Sequence, residues 1–225
     1  GYLDYTVFGF AKVKGAKRDT FLTYNKNVAL SSSANDPQYT PFFKDKLKFD
    51  EAFSDFIGRE WLNLEKAGEN EFTAFCKKHG AVFAKYPRSF GGQQIEKVET
   101  DEDTDFSALY ARLKENGQVL IEEKIKQHPV MNALCPSSVN SVRIVTLRDK
   151  NGVVHYLYSL LRFGNGTKAV DNITSGGMYI LLDRDGKSAS KAFCDKTGLF
   201  YDTHPMTGVD LLNFEVPLHK EAVEL

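Results

Sequence analysis

The spacing of apolar residues changes several times along this chain, and each change marks an element. Residues 1–40 are rich in aromatic side chains but hold no steady period, and SSSANDPQYTP (31–41) reads as a loop by composition. From 47 to 64 the pattern turns helical. Phe49, Phe53, Phe56, Ile57, Trp61 and Leu64 recur at three- and four-residue steps, which predicts one aromatic stripe on one helix face, most simply a core face. A second helix is predicted over 70–79, stopping at Gly80.

Strand patterns then take over, at 81–86, 93–98 and 118–125, with a helix predicted at 105–116. Two β-type runs, 141–148 and 152–163, flank the turn DKNG and read as a hairpin. A further strand is predicted at 177–183, ahead of the turn DRDG. Helices and antiparallel strands are mixed without a βαβα alternation. An α+β fold follows, with a break near 126–140 that separates two lobes.

Composition narrows the function classes. The 225 residues suffice for one large domain or two small lobes. Basic and acidic residues nearly balance, 29 against 30, which argues against a broad footprint for nucleic acid or an anionic membrane. No apolar run approaches the roughly 20 residues that span a bilayer. The three cysteines, Cys76, Cys135 and Cys194, are widely spaced and form no C-x-x-C pair. They fit reduced, mostly buried thiols in a cytoplasmic protein rather than a zinc site. The start at Gly1 rather than Met fits an excised segment.

The densest chemistry lies in AVFAKYPRSFGGQQIEKV (81–98), where an apolar run ends in Lys85 and a loop carries Ser89, Gly91 and Gly92. Glycines let backbone amides approach phosphate oxygens, and an ammonium neutralises their charge. A glycine-turned hairpin with a surface lysine has the same local sequence, so both readings stand. Lys46, in FKDKLKF, reads locally as a solvated lysine. In QVLIEEKIKQHP (118–129), Glu122 and Glu123 point to opposite faces if extended, so one can face a pocket. The same pair fits an edge strand ending in surface charge, and His128 before Pro129 fits a turn or helix start.

Arg143 alternates with Val142 and Ile144, so it faces away from them. It is a phosphate or carboxylate clamp if that face is a cleft, and ordinary if the face is solvent. In AVDNITSGGMYILLD (169–183), Asp171, Asn172, Thr174 and Ser175 precede Gly176 and Gly177. Amides there can converge on an anion, or Asx-type turn chemistry explains the same residues. Neither G-x-x-x-x-G-K-[ST] nor G-x-G-x-x-G occurs, and G-x-S-x-G and H-E-x-x-H are also absent. AVFAKY is followed by no H-R-D or D-F-G, which disfavours a kinase-like phosphotransferase.

The order of these elements is more specific than any one of them. D-K before a helix, a strand ending in Lys, a glycine loop, a strand, a helix and a strand running into E-E resemble the ATP-grasp superfamily. The chain is most similar to its sugar-transfer-associated branch, related to teichuronopeptide-biosynthesis-type proteins. The matching stretches are FFKDKLKFDEAFSDFIGREWL, AVFAKYPRSFGGQQIEKV, LIEEKIKQHPVMNALCPSSVNSVRIVTL and VDNITSGGMYILLDRDG, with THPMTGVDLLNFEVP resembling a segment near the acceptor side. Together they cover most of residues 40–217.

The resemblance implies a family-specific segment at 1–40, a first lobe at 41–126 and a second at 127–225, with mostly antiparallel sheets. It implies ATP with Mg²⁺, and usually ADP-forming ligation of a carboxylate to an amine or related acceptor in cell-surface polysaccharide or glycopeptide synthesis. Lys46 and Lys85 would hold the α- and β-phosphates, and Ser89, Gly91 and Gly92 would form the phosphate lid. Glu122 and Ile125 would flank the segment reading adenine, with Glu123 or His128 on ribose. Arg143 would stabilise the transferring phosphoryl group, and Asn172, Gly176 and Gly177 would line the phosphate or acceptor side.

One departure stands out: no E-x-N follows Gly177, so the metal ligands expected on late strands are not found in the sequence. The second lobe is then expected to be truncated, with slow phosphoryl transfer. A non-catalytic nucleotide- or glycan-binding module keeping the same fold is the alternative. The substrates implied are ATP and an unknown carboxylate and acceptor, sugar-linked in the sense that the family name carries.

Overall fold

Caps and turn glycines set where the elements begin and end. The computed structural model describes residues 9–89, 95–167 and 171–225. The described chain forms two compact units. One is residues 38–127; the other combines the described parts of 1–37 with 128–225. The glycine-loop residues Gly91 and Gly92 lie outside the described residues.

The N-terminal part holds helices α1 (Ala16–Asp19) and α2 (Tyr24–Ala34), both exposed. Helix α2 takes in the first serines of the stretch expected to be a loop, and Pro37–Tyr39 is a 3-10 turn. The serines are accommodated because Ser33 Oγ bonds back to Leu30 O at 2.9 Å, and the Asn35 amide closes the helix on Ser31 O. Local hydrogen bonding outweighs loop-like composition here.

The 38–127 unit runs through α3 (Thr40–Lys44), α4 (Lys46–Ala52), β1 (Trp61–Asn63), α5 (Glu69–His79), β2 (Ala81–Lys85), β3 (Ile95–Glu99), α6 (Phe106–Glu115) and β4 (Leu120–Glu123). Its strands form one antiparallel sheet in the order β1-β4-β2-β3. Helix α5 begins where Glu71 reaches back to the Gly68 amide and ends at Gly80, which adopts φ 67°. Phe72 and Cys76, one turn apart, are buried with Val82, Ala84, Leu113 and Ile121. Burial pushes the Cys76 thiol up to about 11, as expected of an inert core thiol, and Cys135 and Cys194 are buried too.

The helix expected over 47–64 is corrected. It stops at Ala52, a 3-10 turn covers Ser54–Phe56, and Trp61–Asn63 is a strand. Trp61, Leu62 and Asn63 pair with Glu122, Ile121 and Leu120, so sheet pairing overrides a three-to-four spacing that continues by coincidence. The aromatic stripe divides accordingly. Leu64 is fully buried, Phe49 and Phe53 are half-buried with rings 4.7 Å apart, and Phe56 is exposed.

The second unit carries α7 (Pro129–Leu134), whose start at His128 was open in the sequence beside a turn, then β5 (Ser141–Arg148), β6 (Val154–Phe163), β7 (Met178–Leu182), β8 (Ala192–Cys194), β9 (Leu199–Tyr201) and α8 (His219–Glu224). The strands make an antiparallel meander in that order, and the β5–β6 hairpin closes on the DKNG turn. Alternation along β6 and β7 sends Leu161, Phe163, Met178, Ile180 and Leu182 into the core, where Met131 and Leu134 of α7 join them. Among the described residues, no helix is long and apolar enough to cross a membrane.

Candidate functional site

Strand β2 alternates cleanly. Val82 and Ala84 are fully buried, which leaves Phe83 and Lys85 on the other face. The β2–β4 register sets Glu122 opposite Phe83 and Leu120 opposite Lys85, so Lys85 and Glu122 are diagonal neighbours on one face. The Lys85 ammonium donates to Glu122 Oε2. Arg59, from the loop before β1, donates from Nη2 to Glu122 Oε1 at 2.7 Å and lies 3.4 Å from Asp50 Oδ1. Asp50 comes from α4. Four separate segments thus bring two cations and two carboxylates together.

Burial sets the electrostatics. Glu122 and Asp50 are 2% and 1% exposed, so each carboxylate needs a counter-charge. Burial alone would raise the Glu122 pKa; Lys85 and Arg59 outweigh it and hold the carboxyl below its ordinary range. Asp50 goes the other way, because burial outweighs the pull of Arg59 and raises it. Asp50 Oδ2 and Arg59 Nε are buried without a hydrogen-bond partner.

The D-K pair joins the same neighbourhood. Asp45 caps α4, accepting from the amides of Leu47 at 3.2 Å and Lys48 at 3.5 Å, and from Arg88 Nε at 3.0 Å. Its burial acts to raise its pKa, but Arg88 and the two amides prevail and lower it. The Lys46 amide donates to Pro87 O, and its ammonium donates to Tyr86 O at 3.2 Å, Ser89 O at 2.5 Å and Ser89 Oγ at 3.1 Å. Burial first, then repulsion from Lys85, lowers the Lys46 pKa. Lys46 is therefore no solvated surface lysine. It draws the Tyr86–Ser89 turn against the start of α4.

The remaining residues of the E-E segment are placed differently. Glu123 turns to the opposite face, where Oε1 accepts from the Glu60 amide at 2.9 Å and Oε2 lies 3.3 Å from His79 Nδ1. Ile125 is exposed. His128 is the N-cap of α7, with Nδ1 accepting from the Val130 amide at 3.3 Å, which is the helix-start role open to it in the sequence.

In the second unit Arg143 is exposed on β5, opposite Leu160 and turned from the core. On that face Ser141 opposes Arg162, and both engage Asp171: Ser141 Oγ donates to Oδ2, and Arg162 Nη2 donates to Oδ1 at 3.0 Å. The turn after Asp171 closes on itself. The Ser175 and Gly177 amides donate to Asn172 O and the Gly176 amide to Ile173 O, at 2.9 to 3.0 Å. A Cβ at Gly177 would lie 2.3 Å from Asp171 O, so close backbone approach requires the glycine. Turn chemistry thus uses the amides that the sequence offered for an anion.

Sequence reasoning missed Arg59, Asp50 and Arg162. Arg162 carried one signal, a single charge between Leu161 and Phe163 in an apolar run. Arg59 and Asp50 carried none, because exposed and buried charges look alike in REWL and KFDEAF. Among the described residues no three His, Cys, Asp or Glu side chains converge as metal ligands would.

A model of the sugar-transfer associated ATP-grasp family matches residues 82–225, from β2 to the last residue of the sequence. A comparison with curated proteins found no match.

Proposed function

The chain belongs to the sugar-transfer associated ATP-grasp family, and from that premise we propose that Lys85 and Lys46 grip the phosphates of ATP in an ADP-forming ligase reaction. The observation that carries this reading is the position of Lys85. It is an ammonium at the end of a core strand, four-fifths buried, beside a second lysine and followed in the sequence by Ser89, Gly91 and Gly92. Two partly desolvated cations that repel one another gain from a shared anion, and a polyphosphate supplies one.

In this reading the ATP γ-phosphorus is attacked by a carboxylate oxygen of the substrate. The bond to the β-phosphate oxygen breaks, and ADP and an acylphosphate form. An amine or related nucleophile of the acceptor then attacks the acyl carbon, and inorganic phosphate leaves as that C–O bond breaks. Lys85 and Lys46 offset charge on the leaving ADP. For Arg143, exposed on β5, and for Asn172, both in the other compact unit, the resemblance alone carries a role, and no step is built on them. The acceptor is assigned to cell-surface saccharide or glycopeptide chemistry through the family's association with sugar transfer.

Magnesium is a separate question. The two carboxylates of the cluster are committed to Lys85 and Arg59, and the described residues supply no other converging acidic set. They do not fit a divalent cation, so no step is routed through one. What this chain's own residues supply is neutralisation by ammonium groups.

Thermal stability measured with and without Mg-ATP tests the reading. Stabilisation of the wild type, lost in Lys85→Ala, supports it; no shift in either contradicts it. ADP release in the presence of carboxylate and amine mixtures separates a ligase from a binding module.

A further inference from the structure

We propose that Arg59 is the positioning residue of this grip: it keeps Glu122 compensated when Lys85 turns to phosphate. The inference rests on the nucleotide reading above and adds a role for a residue that the family match, starting at 82, does not reach. Glu122 divides its two oxygens between two cations, Oε2 to Lys85 and Oε1 to Arg59. Its side chain is 3% exposed, so loss of Lys85 alone would strand a buried charge.

Arg59 is built to prevent that. Asp50, whose side chain is 2% exposed, anchors its guanidinium from α4. Its Nε is a buried donor without a partner. A guanidinium grips a carboxylate best through two parallel N–H groups. When Lys85 leaves Oε2, Nε is the donor available to take it, converting a one-point contact into a fork.

Charge leads to the same conclusion. Lys46, Lys85, Arg59 and Arg88 face Asp45, Asp50 and Glu122, four cations against three carboxylates, which leaves one positive charge for a ligand. Without Arg59 the cluster is neutral, and Glu122 competes with phosphate for Lys85. The charged groups around Glu122 are Lys85 on β2, Arg59 before β1, and Lys46 and Asp50 on α4. Of these only Asp50 shares its sign.

Calorimetric titration of the full chain with ATP and with adenosine, between pH 5 and pH 8, tests the proposal. Arg59→Met should weaken ATP binding by about 10- to 100-fold at pH 8, the scale of one charge-assisted contact, and leave adenosine nearly unchanged. The loss should shrink as pH falls, because Glu122 in Arg59→Met lacks one of the two cations that depress its pKa and, once Lys85 turns to phosphate, is relieved by taking up a proton instead. In a Glu122→Gln background, Arg59→Met should have little effect, and adding Asp50→Asn, the other carboxylate that Arg59 meets, leaves no stranded charge if the single variant folds poorly. Arg59→Lys should fail to restore binding, because an ammonium cannot make the fork. An equal loss for ATP and adenosine, a loss independent of pH, or the same loss in the Glu122→Gln background would overturn the proposal. Wild-type protein that binds no ATP would overturn the nucleotide reading and this one with it.

Discussion

The Lys46 ammonium lies 2.5 Å from the main-chain carbonyl oxygen of Ser89, 43 positions along the chain. This contact joins the start of α4 to the Tyr86–Ser89 turn. Under the proposed nucleotide reading Lys46 has two tasks, to hold the turn and to meet phosphate, and they use the same three N–H donors. Nucleotide binding would then exchange carbonyl partners for phosphate oxygens and loosen the turn.

Lys46→Met should release the Tyr86–Ser89 turn while leaving the sheet intact. The expected cost is about 1 kcal/mol, the net worth of a hydrogen-bonded contact that is partly exposed to solvent. Amide exchange at 86–89 should accelerate while β2 and β4 stay protected. Unchanged exchange at the turn would show that Lys46 does not hold it.

Acid should destabilise the 38–127 unit through Glu122 and Asp45. Both folded pKa values are depressed, so their stabilisation is fully present above the ordinary carboxylate range, near 4, and is lost as pH falls through the lower folded values. Asp50 is raised and opposes this, gaining relative stability as it protonates. Urea melts from pH 6 to pH 3 should show a shallower acid loss in Glu122→Gln and a steeper one in Asp50→Asn.

Gly177→Ala should be among the most damaging single-methyl additions in the second unit. The new carbon would meet Asp171 O at 2.3 Å and Asn172 O at 2.9 Å, both backbone atoms that cannot step aside. A loss of at least about 2 kcal/mol is expected in denaturant melts. Gly58→Ala, with no atom within 4 Å of the added carbon, is the matched control and should be close to neutral.

Much of the sheet structure was legible because burial on one face leaves a period-two trace, as in Val82–Ala84 and Leu161–Phe163. Gly80 marked the end of α5 for a reason visible in sequence, since its φ of 67° suits glycine. The 47–64 segment misled because Trp61 and Leu64 stay in step with a helix that has already ended. Only the partner strand, about sixty positions later in the register of β1 with β4, decides their conformation. Lys85 was legible through its place at the end of an apolar run. Arg59 and Asp50 were not, because their meaning comes from Glu122, which three-dimensional pairing alone brings to them. The glycine pair at 176–177 stood open between a turn and an anion site, since hydrogen-bond use of its amides has no trace in residue types.

The central claim is that Lys85 grips phosphate, and calorimetry with ATP, AMP and adenosine on wild type and Lys85→Ala tests it most directly. The account predicts wild-type affinity rising with phosphate number, and a loss of about tenfold or more for ATP in Lys85→Ala that fades to nothing for adenosine. Equal binding of ATP by both proteins, or a loss as large for adenosine as for ATP, would contradict it.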